Sequence, residues 1–298
     1  MIEKLVAICS NENVLTNEPM KHHTTFKVGG PADFLVFPET AEQLKAVLAL
    51  VRQENAPLTV IGNGSNLLVS DKGIRGVVVC TVKMKNVSAN GNEITAACGV
   101  SMAALAACAK QASLTGLEFA SGIPGTVGGG IVMNAGAYDG SLSDCAVETL
   151  CVDLNGNEKR FCGEAQAFSY RKSAFSGGDY IVVETKFMLH PGNATEIEEK
   201  MKDLNARRKE KQPLEKPSAG STFKRPEGYF AGKLIEDAGL KGYRVGGACV
   251  SEKHAGFVVN DQNGTAEDVL AVIRHCRETV LEKFGVEMET EVRMLGEF

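Results

Sequence analysis

Chemistry in this chain is first suggested by its backbone, not its side chains. Residues 117–138, LEFASGIPGTVGGGIVMNAGAY, carry glycines at 122, 125, 128, 129, 130 and 136. Glycine at that density lets the backbone come within contact distance of a bound molecule and leaves N–H groups to face it. It also disfavours a helix interior, by roughly 1 kcal/mol per residue relative to alanine, so the stretch reads as a loop. A flexible linker would be polar and rich in Gly and Ser or Pro. Here Ile123, Val127, Ile131, Val132 and Met133 alternate with the glycines, and Asn134 and Tyr138 follow, which fits an ordered loop wrapped around a ligand. A second glycine turn, Gly62-Asn63-Gly64-Ser65-Asn66, comes directly after the strand-like LTVI. Successive N–H groups in such a turn form an anion-accepting concavity, and the same residues also suit a plain tight turn between two strands. The third glycine of a Rossmann fingerprint is missing, because position 67 is Leu67.

Polar groups cluster at three further places. Ser169-Tyr170-Arg171-Lys172-Ser173 precedes a strand-like run; read alone, its arginine is a solvated loop charge. The end of a charged helix, NARRKEKQP, leads into the proline-bounded, hydroxyl-rich stretch Pro217-Ser218-Ala219-Gly220-Ser221-Thr222-Phe223-Lys224-Arg225-Pro226, a turn with chemistry in it or a domain hinge. Near the C-terminus, VEMETEVRML puts Glu287, Glu289 and Glu291 on one face if the run is a strand. The five histidines are scattered, and neither H-E-x-x-H nor a Cys/His cluster is present, so no metal site is expected. Two glycine loops could share one large diphosphate cofactor while a basic, hydroxyl-rich loop holds an anionic substrate. That describes a cofactor enzyme.

The elements that must position these groups follow from patterning. Residues 40–55 are amphipathic behind a Thr40/Gln43 capping pattern, 101–115 form a small-residue helix stopped at Gly116, and 195–213 carry the stripe Ile197, Met201 and Leu204. A helix near 229–238 stops at Gly239, and 265–284 carry the stripe Val269, Val272, Ile273, Cys276, Val280 and Phe284 between Thr265 and Gly285. Strand-like runs separate the helices, giving an α+β chain. At 298 residues it is long enough for two or three domains, with edges expected at 1–76, 77–205 and 206–298. The acidic final strand leaves open a return to the first segment. A net charge of −5 argues against a nucleic-acid surface. No apolar run reaches membrane-spanning length and the N-terminus lacks a signal-peptide core, so no membrane insertion is expected. The nine cysteines lack metal or C-x-x-C spacing and sit mostly among Ala and Val, as reduced packing residues of a cytoplasmic protein would.

Seven blocks in fixed order, TTFKVGGPAD, VIGNGSNLLVSD, ASGIPGTVGGGIVMNAGAY, SYRKSAF, PSAGSTFKRP, GYRVGGACVSEKHAGFVVN and METEVR, cover most of the chain. They resemble those of the UDP-N-acetylenolpyruvoylglucosamine reductases, flavoenzymes that make UDP-N-acetylmuramate for peptidoglycan. The resemblance implies a two-subdomain FAD-binding fold of the vanillyl-alcohol-oxidase (PCMH) type, plus a C-terminal α+β substrate domain. It implies non-covalent FAD held by Gly62, Asn63, Gly64, Ser65, Asn66 and Leu67 and by the loop residues Gly122, Ile123, Pro124, Gly125, Thr126, Gly128, Gly129, Asn134, Gly136 and Ala137. It implies NADPH as co-substrate, sharing one cleft with the UDP-sugar. By motif position Ser221 would be the proton donor, Arg171 would polarise the enolpyruvyl carboxylate and Glu291 would complete the trio. Tyr170, Arg207, Lys211, Lys224 and Arg225 would bind substrate. Arg225 stands where some family members have Asn, METEVR replaces the commoner L-E-P-E-V-R, and the segment between Phe175 and Tyr180 is brief, as in a shorter variant of the family. The alternatives are another FAD-dependent oxidoreductase of this fold, which would not need SYRKS, AGSTFK and METEVR together, and a non-enzymatic flavin or nucleotide binder.

Overall fold

The computed structural model describes residues 1–298. Seven α-helices punctuate a mixed chain: α1 (Ile2–Cys9), α2 (Ala41–Gln53), α3 (Met102–Gln111), α4 (Val127–Met133), α5 (Ala194–Lys211), α6 (Ala231–Asp237) and α7 (Ala266–Phe284). Local chemistry sets their ends. The Thr40 hydroxyl accepts from Gln43 N–H at 3.2 Å to start α2. At α7, Thr265 and Asp268 exchange a capping box, and Gly285, at φ 67°, closes the helix in the left-handed region that glycine enters without penalty. The apolar stripe of α7 is buried as expected except Phe284, which is 40% exposed in the last turn.

Two compact units result. One comprises residues 1–16, 34–63 and 76–208; the other comprises 17–33, 64–75 and 209–298. The first holds the antiparallel five-stranded sheet in the order 158–162, 146–153, 180–188, 93–97, 87–90. Its core packs Leu44, Val47 and Leu48 of α2 with Leu105 of α3 and sheet residues such as Ile94 and Phe187. A four-stranded sheet in the order 14–19, 31–36, 74–80, 58–61 ends in the parallel pair of Leu58–Ile61 with residues 77–80. The second unit builds its core from Leu234 and Ile235 of α6, the stripe of α7, Val250 and Val258 of a small sheet, and Phe26. Its last strand, Arg293–Leu295, pairs in parallel with Leu67–Val69, so the chain's end does return to residues of the first segment.

Two local expectations are corrected. Helix α3 stops at Gln111 and not at Gly116, because Leu114–Thr115 leave the helix to pair with His190–Pro191. The glycine stretch is not all loop: Gly128, Gly129 and Gly130 lie inside α4, capped by Thr126 and by Asn134 at φ 43°. Two of these glycines, Gly128 and Gly130, are required by packing. A Cβ on Gly128 would lie 2.8 Å from Cys98 Cβ and 3.2 Å from Cys98 O, and one on Gly130 would lie 2.9 Å from Leu142 Cδ1. Close approach therefore outweighs helix propensity. All nine cysteines are free, and all but Cys108 and Cys162 are buried.

Gly128 and Gly129 separate the two effects. Gly128→Ala should destabilise the apoprotein by about 1–3 kcal/mol, the usual scale of overpacking. Gly129→Ala, whose Cβ would meet only Thr126 Oγ1 at 3.6 Å, should be neutral or stabilising by up to about 1 kcal/mol. Urea unfolding of the two variants measures both.

Candidate active site

In the first unit Gly62, at the start of the shorter glycine turn, meets the longer loop at Thr126. Strand Leu58–Ile61 delivers Gly62, and any Cβ there would clash with Thr126 Oγ1. The longer loop is held by backbone bonds: Met102 N–H donates to Gly125 O at 3.0 Å, Val127 N–H to Val100 O at 2.8 Å and Gly128 N–H to Cys98 O at 2.8 Å. Those N–H groups are thus spent on the fold. The N–H groups of Asn63, Gly64 and Ser65, by contrast, meet no acceptor in the protein, which leaves a run of donors in the shorter turn.

Arg171 occupies the third position of a tight turn in which Ser169 and Lys172 exchange backbone hydrogen bonds at 2.9 and 3.2 Å. Its φ of 55° lies in the left-handed region, which a side chain other than Gly, Asn or Asp enters at a cost of about 1–2 kcal/mol. Both Nη atoms donate to Gly136 O at 3.4 Å, and the guanidinium lies 5.3 Å from the exposed Tyr170 ring. Asn134, grouped above with the cofactor residues, turns its side chain inward to Ser143 and to the carbonyl of Ser169.

Two arginines lie side by side near the end of α5, Arg207, expected at the substrate, and Arg208. Arg207 points to solvent and pairs with Asp203 one turn back, at 2.8 Å. Its neighbour Arg208 is 9% exposed, and its Nε has no hydrogen-bond partner. Arg208 lies against the glycine loop, where a Cβ on Gly122 would approach Nε to 3.0 Å, and 5.8 Å from the Tyr138 ring. Burial pushes its guanidinium below the ordinary arginine range and Tyr138 draws it back. The helical period carries the missed signal: Leu204 and Arg208 are four residues apart, on the buried stripe, while Arg207 is not. A buried cation with an unused donor beside a glycine loop fits a diphosphate-bearing group.

The second unit assembles the other expected residues. Thr222, fully buried, donates its N–H to Gly256 O, accepts at Oγ1 from Val258 N–H at 3.0 Å, and accepts at its carbonyl from Glu291 N–H at 2.9 Å. Phe223 forms an isolated antiparallel bridge with Thr290, so the segments bearing Ser221 and Glu291 run side by side. Asn66 joins them, its Nδ2 donating to Glu291 O at 3.0 Å while its carbonyl accepts from Arg293 N–H at 3.0 Å. Ser221 is exposed beside the buried Thr222. Lys224 pairs with Glu289, and the Arg225 guanidinium lies 3.9 Å over the exposed Phe230 ring. Lys211 is exposed at the end of α5. Only Arg293–Leu295 of the expected acidic strand is a regular strand; Glu287 and Glu289 point to solvent. Thr25, whose N–H donates to Gly64 O at 3.3 Å, keeps its buried hydroxyl without a partner.

Comparison with known proteins extends this description. Residues 32–161 match the family described as FAD binding domain. Phl p 4, a grass-pollen glucose dehydrogenase, superposes with a TM-score of 0.51 at 16% identity over 65% of this chain and 44% of its own, a likeness of fold alone. The fold and the paired glycine loops define a flavoprotein oxidoreductase of the PCMH type, and no helix is long and apolar enough to cross a membrane. Residues 212–295 match the C-terminal domain of UDP-N-acetylenolpyruvoylglucosamine reductase. The reductase of Caldanaerobacter subterraneus subsp. tengcongensis is 51% identical over 297 residues, spanning 100% of this chain and 98% of that protein. The reductase of Geobacillus thermodenitrificans is 52% identical over 295 residues, spanning 99% and 97%. The crystal structure of the Thermus caldophilus reductase superposes with a TM-score of 0.80 at 36% identity, over 94% and 98%. The chain belongs to the UDP-N-acetylenolpyruvoylglucosamine reductase family, FAD-dependent oxidoreductases acting on a small molecule.

Arg208→Ala should weaken FAD binding about ten- to a hundredfold, the worth of one charge-assisted hydrogen bond. Flavin-fluorescence titration of the apoprotein measures it. An unchanged dissociation constant would remove Arg208 from the cofactor site.

Proposed function

We propose that this chain reduces the enolpyruvyl group of UDP-N-acetylglucosamine enolpyruvate to give UDP-N-acetylmuramate, a cytoplasmic step of peptidoglycan precursor synthesis with NADPH as reductant. Bound FAD supplies the hydride, taken from NADPH, for one carbon of the enol-ether double bond. The residues fitted to hold it are the Asn63, Gly64 and Ser65 backbone donors and the buried Arg208 guanidinium.

The chain's own residues then manage charge and the proton. Arg171 meets the substrate carboxylate, and its fixed positive charge lowers the energy of the enolate that develops as the double bond is reduced. The Ser221 hydroxyl delivers the proton to the neighbouring carbon. Serine is a weak acid, so its oxygen needs stabilisation as the proton leaves. Lys224, from the same segment, is the nearest cation in sequence, and Lys211 is a second candidate. Glu291, whose N–H bonds Thr222 O, completes the trio. Tyr170, Arg207 and Arg225 offer exposed polar or cationic groups to the nucleotide part of the substrate, where a bidentate arginine suits a diphosphate. The observation that carries this reading is the bond from Glu291 N–H to Thr222 O, which joins the segments of the serine and the glutamate within one unit.

Ser221→Ala tests it. The variant should bind FAD and oxidise NADPH as the parent does, while flavin reoxidation by the enolpyruvyl substrate slows by about 10²- to 10⁴-fold, the usual range for general acid catalysis. Anaerobic bleaching with NADPH, followed by addition of substrate, reads both halves in one cuvette. Parent protein that bleaches and does not recover its colour would keep the flavin and reject this substrate.

A further inference from the structure

The turn bearing Arg171 is tied to the glycine helix by bonds that the proposed reaction leaves unexplained. Asn134 is 8% exposed and caps α4 in the left-handed region. Its Nδ2 donates to Ser143 Oγ at 3.2 Å and to Ser169 O at 3.1 Å, while its Oδ1 accepts from Ser143 N–H at 3.0 Å. One amide therefore joins the end of the glycine helix, the 140–144 turn and the first residue of the Arg171 turn. Two residues on, Gly136 O accepts from both Nη atoms of Arg171. Two residues earlier, Val132 O accepts from Ser173 Oγ at 2.9 Å and Ser176 Oγ at 2.8 Å. Residues 132–136 thus hold the loop 169–176 on both sides of Arg171, and Asn134 supplies the one side-chain donor from the helix's end.

That arrangement answers a physical need. The strained φ of Arg171 persists only where the surroundings over-determine it. The two bonds within the turn are those of any four-residue turn and do not fix its direction. Asn134 fixes it through Ser169 O. Two donors and one acceptor face of the amide are committed inside the protein, which leaves this side chain little to offer a ligand.

We propose that Asn134 is a positioning residue, and not a cofactor ligand, which holds Arg171 in register with the glycine loop so that its guanidinium meets the substrate carboxylate. This rests on the role proposed above for Arg171. A misplacement of about 1 Å in a group of that kind lowers a rate about a hundredfold.

Asn134→Asp is the informative variant. Aspartate also tolerates the left-handed backbone and keeps an acceptor for Ser143 N–H, but it has no donor for Ser169 O and sets a carboxylate against that carbonyl. In the holoenzyme, FAD affinity and the rate of NADPH oxidation should stay within about threefold of the parent. The rate of flavin reoxidation by the enolpyruvyl substrate should fall about ten- to a hundredfold. In an Arg171→Ala background the same change should have almost no further effect on that rate, because a residue acting through Arg171 is not additive with its removal. Amide exchange at Lys172, whose N–H bonds Ser169 O, should quicken in the single variant. Loss of FAD affinity would make Asn134 a cofactor ligand, and an undiminished effect in the Arg171→Ala background would make it independent of Arg171; either overturns the proposal. Unchanged Lys172 exchange overturns it as well, and that readout stands even if the parent enzyme proves to act on another substrate.

Discussion

The approach of Gly128 to Cys98 is the constraint on which the first unit depends. With Gly128 N–H on Cys98 O and Val127 N–H on Val100 O, the start of α4 lies on the backbone of residues 98–100 as another strand would. No side chain fits at that contact. The register it sets puts Thr126 beside Gly62, brings the C-terminus of α4 to the Arg171 turn, and leaves Gly122 against Arg208. A shift of one residue would place a Cβ where none can go. Steric exclusion, and not glycine's flexibility, is what makes the loop specific.

The electrostatics are local. A chain of net charge −5 keeps Arg208 buried against Gly122, its Nε without a hydrogen-bond partner. Burying an unpaired cation costs free energy unless something compensates it. The diphosphate proposed to bind here would provide that compensation. The exposed pairs, such as Arg207 with Asp203 and Lys224 with Glu289, contribute little by comparison. The second unit uses a different device. There the fully buried Thr222 makes backbone and hydroxyl bonds on both sides, so Ser221 is presented on an anchored segment while the residue itself stays exposed.

Much of the fold was legible in local pattern. The caps of α2 and α7 and the apolar stripes of α5 and α7 follow from residue type and helical period, which need no knowledge of distant contacts. The pattern failed where a distant partner took over. Residues 114–115 left their helix for His190–Pro191, and Gly128 and Gly130 stand inside one where Cys98 and Leu142 leave no room for side chains. The buried Arg208 went unnoticed for a different reason: adjacent residues of a helix face different environments, and motif position does not report which is buried.

By itself, the sequence determined the α+β character, the two glycine loops, and the ordered motifs that assign the chain to its family, because these depend on residue identity and short-range spacing. The tertiary structure alone decided which donors remain available. It committed the N–H groups of Val127 and Gly128 and the amide of Asn134 to the protein, and left those of Asn63, Gly64 and Ser65 and the Nε of Arg208 without acceptors. Hydrogen-bond satisfaction is a property of what lies within about 3 Å in space, and chain order does not encode it directly.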